Sequence, residues 1–521
     1  MKFWRRTSAA ALLFFLLNGS TFSQPNDERQ IMIDLNGPTI QRDHFVDFSI
    51  GSDYPGTLIR DDSLKQLKLV KDELGFKYIR FHAIFHDVLG TYTEINGSPI
   101  YDWTKIDYLY DHLLKIGIKP FVELGFTPSA MRSSDQTIFY WNGNTSHPDP
   151  EKWAGLVDAF VRHIENRYGK REIRSWFFEV WNEPNLDMFW EKADQGAYFK
   201  LYALTAGTIK SVDPELKVGG PSTAGAAWVQ EFLHFTRTSG APLDFITTHT
   251  YGVDGGFLDE KGIQDTKLSP LPGAIIDDVR KVRTQMNASG NSDMPLYFTE
   301  WSTSYTPRDS VHDSYISAAY ILQKLKATEG LAQGMSYWTF SDLFEEPGPP
   351  SAPFEGGFGL LNPQGIRKPA FFSYKYLNQL GDVEFQSGDA QSYVTRSDQG
   401  IQILAWNFST PVQDKSNRSY FTQILPSQKT ASLGITIKAA RPGNYEVDIY
   451  RTGFKSNDAY TAYLELGSPK VLTESQLKLL QDMTADLPLL KGIQVTDDGV
   501  ARFSLPMKEN DIVLVKMNPQ R

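Results

Sequence analysis

The stretch WFFEVWNEPNLDMFW, residues 176–190, sets two glutamates, Glu179 and Glu183, among aromatic side chains. An ionised carboxylate in apolar surroundings is costly unless it is paired or hydrogen-bonded. The place of this stretch in the fold therefore decides what the two acids do. Its opening, SWFFEVW (175–181), reads as a short β-strand. Runs of the same kind recur along the chain: FVDFSI (45–50), KYIRFH (77–82), PFVEL (120–124), KVGGP (217–221), DFITTHTY (244–251), PLYFTEW (295–301) and GMSYWTF (334–340). Helical patterns separate them. Asp61 to Leu74 carries Leu64, Leu67, Leu69, Val70 and Leu74 before Gly75, and Ile106 to Ile116 stops at Gly117 in the same manner. Strands alternating with helices in this number predict a parallel (β/α)8 TIM barrel over residues 45–384. An open doubly wound sheet is the alternative, but no glycine-rich phosphate loop follows the first run.

From residue 385 to 521 the pattern changes to short alternating segments: IQILAWNFS, ASLGITIKAA, NYEVDIYRT, AYTAYLEL, ARFSLPM and DIVLVKM. These predict a C-terminal antiparallel β-sandwich, interrupted by one helix over Glu474 to Asp482. Residues 24–44 precede the barrel, and QIMIDL (30–35) within them is expected to pair into that sandwich.

The first 23 residues have the make-up of a cleavable secretory peptide: a basic start at Lys2, Arg5 and Arg6, an apolar run from Ala9 to Leu17, and small residues at Thr21 and Ser23. The run is too short to span a bilayer. A chain of 521 residues with no cysteine is held by its core alone, which suits a secreted or periplasmic bacterial protein. A net charge of -10 gives no basic footprint for nucleic acid or an anionic membrane, so an uncharged partner is expected.

In a barrel of this kind the chemistry sits at the C-terminal ends of the strands. Glu183 follows the fourth strand and Glu300 ends the seventh, each beside a tryptophan, Trp181 and Trp301. Two carboxylates on one rim are what cleavage of a glycosidic bond needs: one protonates the leaving oxygen while the other attacks or activates water. Apolar surroundings would keep Glu183 protonated as the acid, and donors around Glu300 would keep it ionised. Glu179 falls inside the strand and is expected to pair with an arginine, Arg80 on the second strand. His82 and His86 are four apart, but no third ligand with metal spacing stands near, and no metal or other cofactor is expected. No G-x-S-x-G elbow supports a serine hydrolase.

WNEPN on the fourth strand and TEW on the seventh resemble the acid/base and nucleophile motifs of the retaining (β/α)8 glycosidases of clan A. LGFKYIRFHAIFHD (74–87), FFEVWNEPN (177–185), THTY (248–251), YFTEW (297–301) and YWTFSDLFEE (337–346) together resemble glycoside hydrolase family 39, the β-xylosidases and α-L-iduronidases. The resemblance runs on through GGFGLLNPQGIRKPAFFSYKYLNQLG (356–381). It implies Glu183 as acid/base, Glu300 as nucleophile, and double displacement through a covalent glycosyl-enzyme. It also implies that Asn182 hydrogen-bonds the sugar 2-hydroxyl, and that His82, His249, Tyr251, Trp338, Glu345 and Glu346 contact the sugar. The family motif on the second strand usually reads HGI followed by two aspartates, whereas this chain has Ala83 and His86-Asp87.

An iduronidase must meet a substrate carboxylate with a cation. Around the eighth strand this chain offers Asp342, Glu345 and Glu346, with no lysine or arginine before Arg367. A β-D-xyloside is therefore expected over a uronide, with glucoside, galactoside or arabinoside as alternatives. A barrel that binds sugar without turning it over is the reading of another class, disfavoured because both carboxylates are present. The long loops Ser129 to Pro150 and Gly252 to Pro272 suggest a walled pocket and exo action.

Overall fold

The computed structural model describes residues 28–520. The leader expected over residues 1–23 lies outside them. Eight parallel strands close into a barrel in sequence order: β1 (Ser49–Ser52), β2 (Tyr78–Phe81), β3 (Lys119–Leu124), β4 (Phe177–Val180), β5 (Lys217–Thr223), β6 (Phe245–Tyr251), β7 (Leu296–Ser302) and β8 (Gly334–Tyr337). The helices between them pack an apolar face on the barrel. In Asp61–Leu74 the buried residues include Leu64, Leu67, Val70 and Leu74, and Gly75 ends the helix at φ 80°, a left-handed conformation that glycine adopts without strain.

The expected first strand, 45–50, is displaced. Phe45–Asp47 form a 3-10 turn and the strand begins at Ser49. Asp47 is held there by His44 (3.2 Å) and Lys77 (2.9 Å), so apolar residues that mimic a strand pattern belong to a turn packed on the barrel.

Inside the barrel, side chains two apart along a strand face the axis. The N-terminal mouth is filled by Phe48, Tyr78, Phe121, Phe177, Phe245 and Tyr297. Phe121 stacks on Phe177 with centroids 5.1 Å apart, and Phe48 on Tyr297 at 4.6 Å.

Beyond the barrel, a seven-stranded antiparallel sheet runs in the order Thr39–Gln41, Val383–Phe385, Ser392–Ser397, Gly400–Trp406, Ile512–Pro519, Gly443–Thr452, Leu489–Val495. A three-stranded sheet joins Arg29–Asp34, Leu433–Lys438 and Ala501–Leu505. The early strand pairs in parallel with Leu433–Lys438, and one apolar cluster draws on both sheets, with Ile31, Ile33 and Ile435 from one and Val394, Ile403 and Val515 from the other.

AYTAYLEL, expected as a strand, is the helix Ala459–Glu465. Asp458 caps it, accepting from the Thr461 amide at 3.1 Å, and Ala459, Tyr460, Ala462 and Tyr463 recur at helical spacing. Their buried face packs with Leu480 of the helix Glu474–Met483, the one helix foreseen in this region. Among the described residues no helix is long and apolar enough to cross a membrane.

Candidate active site

The C-terminal mouth holds a charged cluster built around Arg80, which is fully buried on β2. Its Nε donates to Glu179 (2.5 Å), its Nη1 to Glu300 (2.7 Å) and its Nη2 to Asn182 Oδ1 (2.9 Å), while Glu123 lies 2.9 Å from Nη2. The expected Glu179–Arg80 pair is thus present. Burial alone would disfavour the guanidinium charge, but Glu179, Glu123 and Glu300 outweigh it and hold the group protonated. Because Asn182 Oδ1 accepts from Arg80, its amide NH2 is the end left for a ligand.

Glu300 breaks the two-residue alternation. On β7 the pairing register slips on both sides near Thr299, a β-bulge that turns two consecutive residues inward. Thr299 donates to Glu179 (2.8 Å), while Glu300 accepts from Arg80 and, at 2.6 Å, from the Tyr251 hydroxyl. A second slip on β5 directs Ser222 at Arg80, 3.3 Å away, and lets its carbonyl accept from the Glu183 amide at 2.8 Å.

Glu183 sits just past β4 at φ 44°, a conformation uncommon outside glycine and frequent at functional sites. Its carboxyl is 2.8 Å from His249 Nδ1. Burial pushes its pKa up to about 7, only partly offset by His82 and Arg80. Burial likewise pushes His249 down to about 4, so that this imidazole is neutral and shares a hydrogen bond with the acid. One oxygen of Glu183, one of Glu300 and a His249 nitrogen lie within 4.8 Å of one another. That spacing would suit a cation, but both Glu300 oxygens already accept, Oε1 from the Arg80 guanidinium and Oε2 from the Tyr251 hydroxyl, so a cation would compete with one of these donors.

His82 spans the far side. Its Nδ1 is 2.7 Å from Glu123, and its Nε2 is 3.3 Å from Glu346 and 3.8 Å from Glu300. Burial opposes a charge on this ring, yet Glu123 above all keeps its pKa well above the ordinary histidine value. Glu346 has one carboxyl oxygen buried without a hydrogen bond, and burial pushes its pKa up to about 8. Trp338 leans on His82 with centroids 4.7 Å apart. It lies against Gly51, where a Cβ would stand 2.4 Å from the indole, so β1 needs glycine at that point.

The structure therefore brings His82, Asn182, His249, Tyr251, Trp338 and Glu346 around Glu183 and Glu300. Glu345 stands apart: its carboxylate pairs with Arg60 at 3.0 Å, at the edge of the rim. The picture of an acidic eighth loop without cations also changes. Lys368, fully buried, lies 3.0 Å from Asp342 and 2.6 Å from Asp313, and Arg60 answers Glu345. Only Glu346 keeps an acidic group turned to the pocket. Trp181 and Trp301 are wholly buried and fill the core.

His86 and Asp87 serve the loop beyond. His86 Nε2 donates to the Trp141 carbonyl (3.0 Å), and Asp87 accepts from the Ser129 amide and hydroxyl. His86 thus points away from His82, and the two share no ligand position. Ala83, standing where the family motif has glycine, adopts φ 59°. Glu123 went unread in the sequence, although it closes PFVEL at the end of β3 just as Glu300 closes YFTEW.

A profile of glycosyl hydrolases family 39 matches residues 29–494. The chain is similar to a monomeric β-xylosidase from Caulobacter crescentus CB15 in crystal structure, with 60% identity and a TM-score of 0.93, covering 95% of this chain and 100% of that one. It is 35% identical over 503 residues to a β-xylosidase of Geobacillus stearothermophilus, covering 94% of this chain and 96% of that protein. Similarity to the α-L-iduronidase of Mus musculus is 25% over 193 residues, 34% of this chain and 29% of that protein. On this match, extending over nearly all the described residues, the chain belongs to the glycosyl hydrolases of family 39.

Proposed function

We propose that this protein is a retaining exo-β-D-xylosidase acting on plant-type oligosaccharides. The observation that carries the reading is the carboxyl pair itself: Glu183 and Glu300 approach within 4.8 Å, nearer the ~5–5.5 Å of retaining enzymes than the ~6.5–9.5 Å that leaves room for an inverting water. Glu300, oriented by Arg80 and Tyr251, attacks the anomeric carbon. Glu183, kept protonated by burial, gives its proton to the departing oxygen, then takes one from the water that releases the sugar. Asn182 offers its NH2 to the 2-hydroxyl, and Glu346 with His82 faces the remaining hydroxyls.

A neutral glycone is favoured because the cations near the eighth loop, Lys368 and Arg60, are occupied by Asp313, Asp342, Asp62 and Glu345. The cationic group that faces Glu346 is His82, which Glu123 already engages at 2.7 Å, so a uronate would find no lysine or arginine free beside it. The loop after β3 reaches the site, Phe139 stacking 6.0 Å from His82 and the Tyr140 amide donating to the Glu346 carbonyl, and we read this wall as favouring action at chain ends. We also read the C-terminal sheets over 385–521 as a β-sandwich on the strength of their shared core, and residues 1–23 as a cleaved export leader.

The test is initial rates on p-nitrophenyl β-xyloside beside the glucoside, galactoside, arabinosides and iduronide. Fastest turnover of the xyloside is expected. Fastest turnover of the iduronide refutes the charge argument, and fastest turnover of a hexoside shows that the pocket admits a hydroxymethyl group.

A further inference from the structure

Glu346 is aimed at His82, and its own loop holds it by a single turn, the Gly348 amide donating to the Glu345 carbonyl at 3.0 Å. Its backbone is also held from elsewhere: the Glu345 amide donates to Asp53 Oδ2 at 2.8 Å, and the Glu346 carbonyl accepts from the Tyr140 amide at 2.8 Å. Asp53 follows β1 directly, is 1% exposed, and takes no part in the catalytic pair. Its Oδ1 accepts from Trp141 Nε1 (3.2 Å), and its Oδ2 also from the Thr57 hydroxyl (3.0 Å). Trp141 is itself fixed, stacked on Tyr54 with centroids 4.6 Å apart and planes 5° from parallel. The loops after β1, β3 and β8 thus converge on one buried carboxylate.

We propose that Asp53 is a positioning residue that sets Glu346 against His82 and so determines how tightly the sugar is held. The inference rests on the reading of Glu346 as a sugar contact. A carboxylate suits the place because both oxygens must accept from N–H groups. In Asp53→Asn, whichever way the amide turns, its NH2 meets the indole N–H or the Glu345 N–H, and one bond is lost.

The experiment compares wild type, Asp53→Asn, Glu346→Gln, the double variant and Trp141→Phe on whichever aryl glycoside the wild type cleaves fastest. Free monosaccharide affinity is measured by calorimetry, and unfolding temperature alongside. Asp53→Asn is expected to raise KM and Kd ~10-fold, the loss of one buried bond to a charged group. The double variant should be no weaker than Glu346→Gln alone, since Asp53 acts through Glu346. Multiplying effects, or an unchanged KM in Asp53→Asn, overturn the proposal. Should Asp53→Asn fail to fold, Trp141→Phe decides: it keeps the ring and removes only the donor, and KM should rise ~3-fold, an unchanged value again overturning the idea. A wild type that prefers another sugar defeats the xyloside reading and leaves this comparison intact. An unchanged KM in Glu346→Gln defeats the premise that Glu346 touches the sugar.

Discussion

At one mouth of the barrel Phe48, Tyr78, Phe121, Phe177, Phe245 and Tyr297 press together, while two or four residues further along the same strands stand Arg80, His82, Glu123, Glu179 and His249. Backbone, register and inward direction are shared, and only the side chains differ. Rings at the lower mouth contribute by area and fit, and each tolerates several neighbours. At the upper mouth every group depends on a named partner: Arg80 on three carboxylates, His82 on Glu123, Glu183 on His249. Buried acids are sustained there by pairing, or by taking up a proton as Glu183 and Glu346 do. We therefore propose that the lower mouth carries stability and the upper mouth the chemistry, a division that substitutions can break.

The largest effect is expected from Glu300→Ala, which should lower kcat by at least ~10⁴-fold while leaving the unfolding temperature nearly unchanged. A large fall in that temperature would show that the upper mouth also bears load. Next, Glu183→Ala should slow glycosides with poor leaving groups by ~10³-fold and activated aryl glycosides far less, with azide restoring part of the rate. Equal loss on both substrate types contradicts its role as acid. With Glu183 titrating at about 7, kcat/KM of the wild type should fall as pH rises through neutrality. Phe177→Ala, at the other mouth, should cost ~3–5 kcal/mol of stability and leave KM and the pH profile alone; an altered profile would mean that the two ends are coupled.

A smaller effect separates the mouths by pH. Burial raises the pKa of Glu183 to about 7, Glu346 to about 8, Asp342 to about 7 and Asp53 to about 6. Each is protonated more readily when folded, so its contribution is full below the unfolded pKa and is lost as pH rises through the folded one. The unfolding temperature should accordingly fall by ~5 °C between pH 5 and pH 8.5, with the same slope in Phe177→Ala. The smallest effect is Ala83→Gly, which relieves φ 59° and should stabilise by ~1 kcal/mol or less without altering KM.

Strand and helix signals are local, and so the barrel, the helix Asp61–Leu74 and the positions of Glu183 and Glu300 on the rim could all be read from the chain. The Arg80–Glu179 pair was legible for the same reason, since both residues lie at counted positions on strands. Partnerships set by folding were not. Lys368 and Arg60 reach Asp342 and Glu345 from outside SDLFEE, so the local sequence of the eighth loop does not show its cations. The bulge at Thr299 defeats any count by twos, and TEW marks Glu300 only through its resemblance to known motifs. In AYTAYLEL, β-favouring tyrosines concealed a helix whose spacing of buried residues and aspartate cap were present all along.

The strand Arg29–Asp34 precedes the barrel yet pairs with Leu433–Lys438. During synthesis from the N-terminus, the whole barrel is made before that partner emerges. At ~5–20 residues per second the wait lasts tens of seconds, with Ile31 and Ile33 lacking the sheet that buries them. A chain cut short between the last barrel strand, Gly334–Tyr337, and Leu433 would keep all eight barrel strands and an open, apolar edge, inviting aggregation. The first strand among the described residues thus waits on a partner about 400 residues later, and Ile512–Pro519, central in the neighbouring sheet, comes later still.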